Sequence, residues 1–171
     1  MPSSDRPARS TSCCSPSQRA NARRACAATS ARSWSDQRII ATGYNGTPTG
    51  FPNCDEGGCH RCSHPEDYAE GRGYDVCICV HAEQNALLQA AKLGYSVQGS
   101  QCYSTLRPCF GCLKELYQAG VAAVYYLNAW APSVPEEAEA YDALLAEMQE
   151  RGVSVEPLEL PESLLDLRAA P

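Results

Sequence analysis

The sequence lacks a long hydrophobic run. Nowhere do apolar residues approach the about 18 in succession that a membrane-spanning helix needs, which excludes an integral helical membrane protein. It also lacks the apolar core of a secretory signal peptide, so a reducing, cytoplasmic setting is expected. Positive charge is scarce. Fourteen Lys and Arg against twenty Asp and Glu give a net charge of −6 and a pI near 5.0, too acidic for broad contact with nucleic acid. Neither nucleic acid nor membrane is an expected partner. What is abundant is cysteine, eleven in 171 residues. With no export signal, cysteines spaced in pairs point to metal rather than to a disulfide scaffold. The length suits one domain with a real core.

Residues 1–35 lack acids and large apolar side chains. They hold nine Ser, seven Ala and six Arg, one acid (Asp5), and only Met1 and Trp34 as large apolar groups. Their charge is +5, which leaves −11 for residues 36–171, with eight basic and nineteen acidic side chains. Such a stretch buries too little apolar surface to offset the entropy of ordering it. The expected organisation is a disordered or aberrant segment over 1–35, a domain over 36–160 and a tail over 161–171. An Arg-, Ser- and Ala-rich start also has the composition of an organellar transit peptide.

From residue 36 the pattern becomes regular. Arg38–Tyr44 reads as a strand ending at the turn-forming Asn45-Gly46. Residues 47–80 are rich in Gly, Pro, Asp and Cys and show little periodicity, and a loop this long is functional or held by something other than a core. His81–Leu93 reads as a helix stopped by Gly94, Gln101–Leu106 as a strand, and Pro108–Ala119 as a helix stopped by Gly120. Val121–Leu127, Glu136–Arg151 and Val153–Leu158 read as strand, helix and strand. This order predicts an α/β layered sheet in which the strands joined by single helices run parallel.

Two segments carry chemistry, each at the start of a predicted helix: His81-Ala82-Glu83 and Pro108-Cys109-Phe110-Gly111-Cys112. Alone, a histidine at a helix start is usually structural, and a Cys-x-x-Cys is a redox pair or half of a structural zinc site. Together, His81, Cys109 and Cys112 would give zinc three protein ligands and leave one position open, the catalytic arrangement. Helix N-termini stabilise thiolates through their dipoles. A zinc ion held this way lowers the pKa of a water in the open position. Glu83, two residues beyond His81, is placed to take and return protons. His-x-Glu followed by Pro-Cys-x-x-Cys is the known signature of zinc-dependent nucleobase deaminases.

From about Arg38 to Leu158 the chain resembles the cytidine/deoxycytidylate deaminase superfamily, and within it the dCMP deaminase branch. The segments that carry the resemblance are Ala41-Thr42-Gly43-Tyr44-Asn45-Gly46, Asn53-Cys54, His81-Ala82-Glu83-Gln84-Asn85-Ala86-Leu87 and Tyr103–Cys112. It implies a three-layer α/β/α fold with a mixed, mostly parallel sheet, and hydrolysis of dCMP to dUMP and ammonia, which supplies dUMP for thymidylate synthesis. By that analogy Glu83 protonates ring N3 while hydroxide adds at C4, then carries a proton to the leaving amine. Asn45 matches a loop asparagine that contacts the nucleotide sugar, and backbone near Ala82 and Thr105 would hold the base edge. Arg107 is placed to meet the phosphate or to sit on a solvated rim. The resemblance also implies a homo-oligomer and, as allosteric ligands, dCTP and dTTP.

A second cluster, Cys54, Cys59, Cys62, Cys77 and Cys79, lies in or just after the Gly-rich loop. A loop this polar needs a clip, and a second, structural zinc would supply one, as in some members of the resembled branch. The favoured ligands are Cys54, Cys59, Cys62 and Cys79, with Cys77 in reserve.

The chain departs from the resembled family upstream of Arg38. There the family has a helix and a strand reading approximately Val-Gly-Ala-Val-Leu-Val, where this chain has Thr29–Ser35, poor strand material. One GC-rich set of codons for Thr29–Ser35 is ACG TCG GCG CGG TCC TGG TCG, and read two positions later that set gives Val-Gly-Ala-Val-Leu-Val. Roughly residues 13–35 are therefore read as translated out of frame, with the frame recovered near Asp36. A transit peptide accounts for the composition but not for the missing strand. Two rival functions stand beside dCMP deamination. One is deamination of another pyrimidine nucleoside or nucleotide, which shares the motif. The other is a non-enzymatic zinc-binding module, which would need closed four-ligand sites and no Glu83.

Overall fold

A computed structural model describes residues 25–30, 38–69 and 72–160, the first of these stretches as backbone only. Five strands form one sheet in the order β2-β1-β3-β4-β5. The strands are β1 (Ala25–Ser30), β2 (Arg38–Tyr44), β3 (Ser100–Leu106), β4 (Ala123–Asn128) and β5 (Ser154–Pro157). The helices are α1 (His60–Ser63), α2 (Ala82–Leu93), α3 (Phe110–Gln118) and α4 (Pro135–Glu150). The helices and strands expected after residue 36 are all present within about two residues of their expected ends. Both stop glycines of the type expected, Gly94 and Gly120, adopt positive φ, 73° and 81°.

The sheet is mixed. β3, β4 and β5, joined through α3 and α4, pair in parallel. β1 pairs antiparallel with both β2 and β3. Parallel and antiparallel pairings are thus equal in number, and the sheet is less parallel than expected because the sequence reading had no β1. Ala25–Ser30 lies inside the segment expected to stay out of the fold. The physical reason for the difference is backbone hydrogen bonding. β2 and β3 each present an open row of N–H and C=O groups, and a strand between them satisfies both rows whatever its side chains. The register slips at Ala28/Thr29, where β1 meets β2 through an irregularity. Residues 1–24, 31–37 and 161–171, including most of the expected N-terminal segment and the whole tail, lie outside the described residues.

One core joins the helices to one face of the sheet. Cys102 of β3, Val124 and Tyr126 of β4 and Val155 of β5 share a face by register. They pack with Ala82 and Ala86 of α2, Leu113 and Leu116 of α3, and Tyr141 and Met148 of α4. Tyr103 and Tyr125 stack on the opposite face, with ring centroids 5.2 Å apart. Among the described residues α2, α3 and α4 all contribute to the one core.

The approach of α2 to β2 is as close as backbone allows. A Cβ on Gly43 would sit 2.0 Å from the Ala82 carbonyl oxygen and 2.6 Å from the Ala86 nitrogen. Both neighbours are backbone, so no side chain can turn aside. Gly43→Ala is expected to push α2 off the sheet and destabilise the fold by about 2 kcal/mol or more. Chemical denaturation of the two proteins checks this, and an unchanged midpoint would refute the close approach.

Candidate metal centre and active site

Three side chains meet where α2 and α3 begin. His81 is the N-cap of α2 and Cys109 the N-cap of α3, both with extended backbone (φ −70° each), and Cys112 lies in the first turn of α3. His81 Nδ1 is 3.4 Å from Cys109 Sγ and 3.3 Å from Cys112 Sγ. Tetrahedral zinc with its usual Zn–N and Zn–S lengths puts such donors about 3.6 Å apart. The two thiols and the imidazole therefore fit a zinc ion in both chemistry and spacing, and they are three ligands, not four.

The local sequence explains the convergence. The Asn45 side chain accepts a hydrogen bond from the Ala82 N–H at 2.7 Å, capping α2 from the loop after β2. Asn85 returns the tie, donating from Nδ2 to the Tyr44 carbonyl at 2.8 Å. Gly46 and Val80 exchange backbone hydrogen bonds across the same junction. The Gly43–Gly46 stretch and the His81–Asn85 stretch are thus the two halves of one joint. Gln84 then bridges the metal-bearing helices. Its Oε1 accepts from the His81 N–H at 2.9 Å and its Nε2 donates to Glu115 of α3 at 3.0 Å. On the other side, buried Tyr141 of α4 donates its hydroxyl hydrogen bond to the Pro108 carbonyl at 2.8 Å, fixing the residue before Cys109.

The electrostatics show the same closeness. The hydrogen bond from Cys112 and then that with His81 pull the Cys109 thiol down to about 4, although burial opposes this. The same shared proton, with burial, holds the Cys112 thiol far above its ordinary range. His81 is raised, chiefly by its hydrogen bond to Cys109. Without metal the pair of thiols keeps one proton between them, and a metal must displace it, so affinity falls in acid. Glu83 adds to the upward pull on both His81 and Cys112, which places its carboxylate beside them.

Glu83 is 7% exposed and its Oε1 accepts a 2.8 Å hydrogen bond from the Ser104 hydroxyl of β3. Ser104 was not among the residues expected from sequence. Strand alternation puts it on the face with Ser100 and Cys102, but only the packing of α2 shows which carboxylate lies above it.

The remaining expected residues separate. Asn45 and Ala82 are brought together, each the partner of the other. The Thr105 carbonyl accepts from Asn128 Nδ2 at 2.7 Å, while its buried hydroxyl has no partner among the described residues. Arg107 donates from Nε to the Trp130 carbonyl at 2.6 Å, and its guanidinium lies 4.9 Å from the Tyr141 ring centroid and 5.9 Å from that of Tyr126.

The second cysteine cluster also gathers. Cys59 is the N-cap of α1 and Cys62 lies on it a turn later, and Cys77 and Cys79 stand two residues apart in the segment leading to His81. Cys77 Sγ is 3.8 Å from Cys59 and 3.7 Å from Cys62, and Cys79 is 3.6 Å from Cys62. Sulfurs sharing a tetrahedral zinc lie about 3.8 Å apart. The set that closes is Cys59, Cys62, Cys77 and Cys79. Cys54, favoured from sequence over Cys77, is instead 3.0 Å from Cys79, too near for two ligands of one zinc.

A family model for the cytidine and deoxycytidylate deaminase zinc-binding region matches residues 10–128. The chain belongs to this family. The deoxycytidylate deaminase of Schizosaccharomyces pombe is 44% identical over 89 residues, 52% of this chain and 27% of that protein. ComE operon protein 2 of Bacillus subtilis is 34% identical over 134 residues, 78% of this chain and 61% of that protein. The chain thus spans about a quarter of the fungal relative and less than two thirds of the bacillar one. The structure of the dCMP deaminase of cyanophage S-TIM5 in complex with dCMP and dUMP superimposes with a TM-score of 0.52 at 31% identity, over 81% of this chain and 82% of that one. The α/β fold is that of the family, with histidine and cysteine groups fit for zinc. No helix among the described residues is long and apolar enough to cross a membrane.

Tyr141→Phe removes one hydroxyl from the core and leaves the Pro108 carbonyl without that donor. The expected loss is about 1–3 kcal/mol of stability, measured by denaturation. An unchanged stability would mean that the Pro108–Cys109 turn is held without α4.

Proposed function

We propose that the chain is a zinc-dependent hydrolase that converts dCMP and water to dUMP and ammonia. The observation that carries this reading is the convergence of His81, Cys109 and Cys112 with the buried Glu83 carboxylate beside them. Three donors and a neighbouring acid suit hydrolysis, whereas a binding module would need neither the open position nor the acid. Zinc held by these three residues would supply a water of lowered pKa and Lewis acidity. Glu83 would take the proton shed as the C4–O bond forms and give it to N3. It would then take the proton of the new C4 hydroxyl and give it to the amine, so that the C4–N4 bond breaks, ammonia leaves and a C4 carbonyl remains.

The nucleotide substrate is supported by the Gly43-Tyr44-Asn45-Gly46 loop and by the likeness to an enzyme solved with dCMP and dUMP. Asn45 accepts from Ala82 through Oδ1, which leaves its Nδ2 amide to donate to a sugar hydroxyl. Backbone at Ala82 and Thr105 would border the base. Arg107, anchored through Nε, would offer its terminal nitrogens to the phosphate. A cytoplasmic homo-oligomer that answers to dCTP and dTTP completes the reading, and its support is the family resemblance.

The test is ammonia release by the zinc-loaded chain, with dCMP and cytidine in parallel. Glu83→Gln is expected to lose about 10²–10⁴-fold in kcat on dCMP while keeping its zinc, because Glu83 is not a ligand. Equal activity in the variant, or release from cytidine alone, would overturn the assignment.

The same reading includes a second zinc in the four-cysteine set, as a clip for a loop with little core of its own. Metal analysis is expected to find two zinc ions per chain, one in Cys77→Ser and two in Cys54→Ser. A single zinc in the parent chain would refute the clip.

A further inference from the structure

Ser104 occupies a place where its hydroxyl has no packing purpose. It is 6% exposed, on the face of β3 that also carries Ser100 and Cys102. A hydroxyl in a core costs stability unless it is bonded. Ser100 shows the contrast on the same face, since its buried hydroxyl has no partner among the described residues. The Ser104 hydroxyl has one, and it is the acid of the site: it donates to Glu83 Oε1 at 2.8 Å. Among the described residues this is the one side-chain hydrogen bond to that carboxylate.

A glutamate carboxylate turns easily about its last torsion, which is broad and roughly two-fold, and would otherwise present either oxygen. A donor fixed on a strand removes that choice. The bond persists whether or not Glu83 holds a proton, because a carboxylic acid keeps one carbonyl oxygen as an acceptor. The oxygen bonded to Ser104 is then always the acceptor, and the proton always rides on the other.

We propose that Ser104 is a positioning residue for Glu83: it pins Oε1 and assigns proton carriage to Oε2. The pinning stands on the contact itself, and the proton assignment rests on the deaminase reading. Oε2 takes the proton that the attacking water sheds as the C4–O bond forms, and delivers it to N3. It then takes the proton of the C4 hydroxyl and delivers it to the amine as the C4–N4 bond breaks. Oε1 holds its bond to Ser104 through both transfers, so the carboxyl does not rotate between them.

The test compares the zinc-loaded full chain with Ser104→Ala, Ser104→Thr and Glu83→Gln. In the infrared, the carboxylate band that Glu83→Gln removes is expected to shift in Ser104→Ala and to stay in place in Ser104→Thr. On dCMP, Ser104→Ala is expected to lose about tenfold in kcat with KM within about twofold, and Ser104→Thr to recover most of the loss. Zinc content is expected to be unchanged in both Ser104 variants. An unmoved band in Ser104→Ala, or Ser104→Thr falling as far as Ser104→Ala, overturns the positioning. So does loss of zinc in Ser104→Ala, which would make the residue structural. A parent chain inert on both dCMP and cytidine overturns the deaminase reading and the proton assignment together, while the infrared band still decides the Ser104–Glu83 bond.

Discussion

Two helix N-termini are held at one point, and everything else in the site follows from that constraint. An imidazole nitrogen 3.3 and 3.4 Å from two thiols is an awkward group to assemble, because burial penalises any thiolate among them. The N-terminal ends of α2 and α3 offset this with their positive dipole ends, and the shared proton between Cys109 and Cys112 offsets more of it. The assembly is also tied from outside. Asn45 and Gly43 hold the start of α2, Tyr141 holds the turn before α3, and Gln84 spans the two.

The two cysteine-rich sets differ in a way that separates their roles. Cys59, Cys62, Cys77 and Cys79 bring four sulfurs together in a loop that has almost no apolar core beyond the cysteines themselves. His81, Cys109 and Cys112 offer three ligands, and Glu83, two residues beyond His81, is held by Ser104. The two sets are also adjacent in the chain, since Cys79 precedes His81 by two residues. The four-cysteine group therefore lies at the entry to α2.

Much of this was legible in the sequence, because the relevant signals are local. A helix start, a Cys-x-x-Cys turn and a stop glycine are each written within a few residues, and His81, Glu83, Cys109 and Cys112 were readable on that basis. What was not legible depends on pairing across distance. Choosing Cys77 over Cys54 needs the direction of an extended segment against a short helix, and both spacings look equally plausible along the chain. Ser104 needs the height at which α2 crosses β3. β1 was missed for a different reason: its residues are Ala-Cys-Ala-Ala-Thr-Ser, which carry little strand preference, and only the open rows of its two neighbours call for it.

That strand matters more than its composition suggests. β1 lies between β2, which holds α2 and with it His81 and Glu83, and β3, which carries Ser104 and leads into Cys109. The width of one strand therefore sets the spacing between the two halves of the site. Backbone hydrogen bonds on both sides can hold that spacing, but a strand in the middle of a sheet normally also contributes apolar burial, at about 25 cal/mol per Å². Ala, Cys, Thr and Ser offer little of it. The two halves of the site thus meet across one short strand, held on both sides by backbone hydrogen bonds.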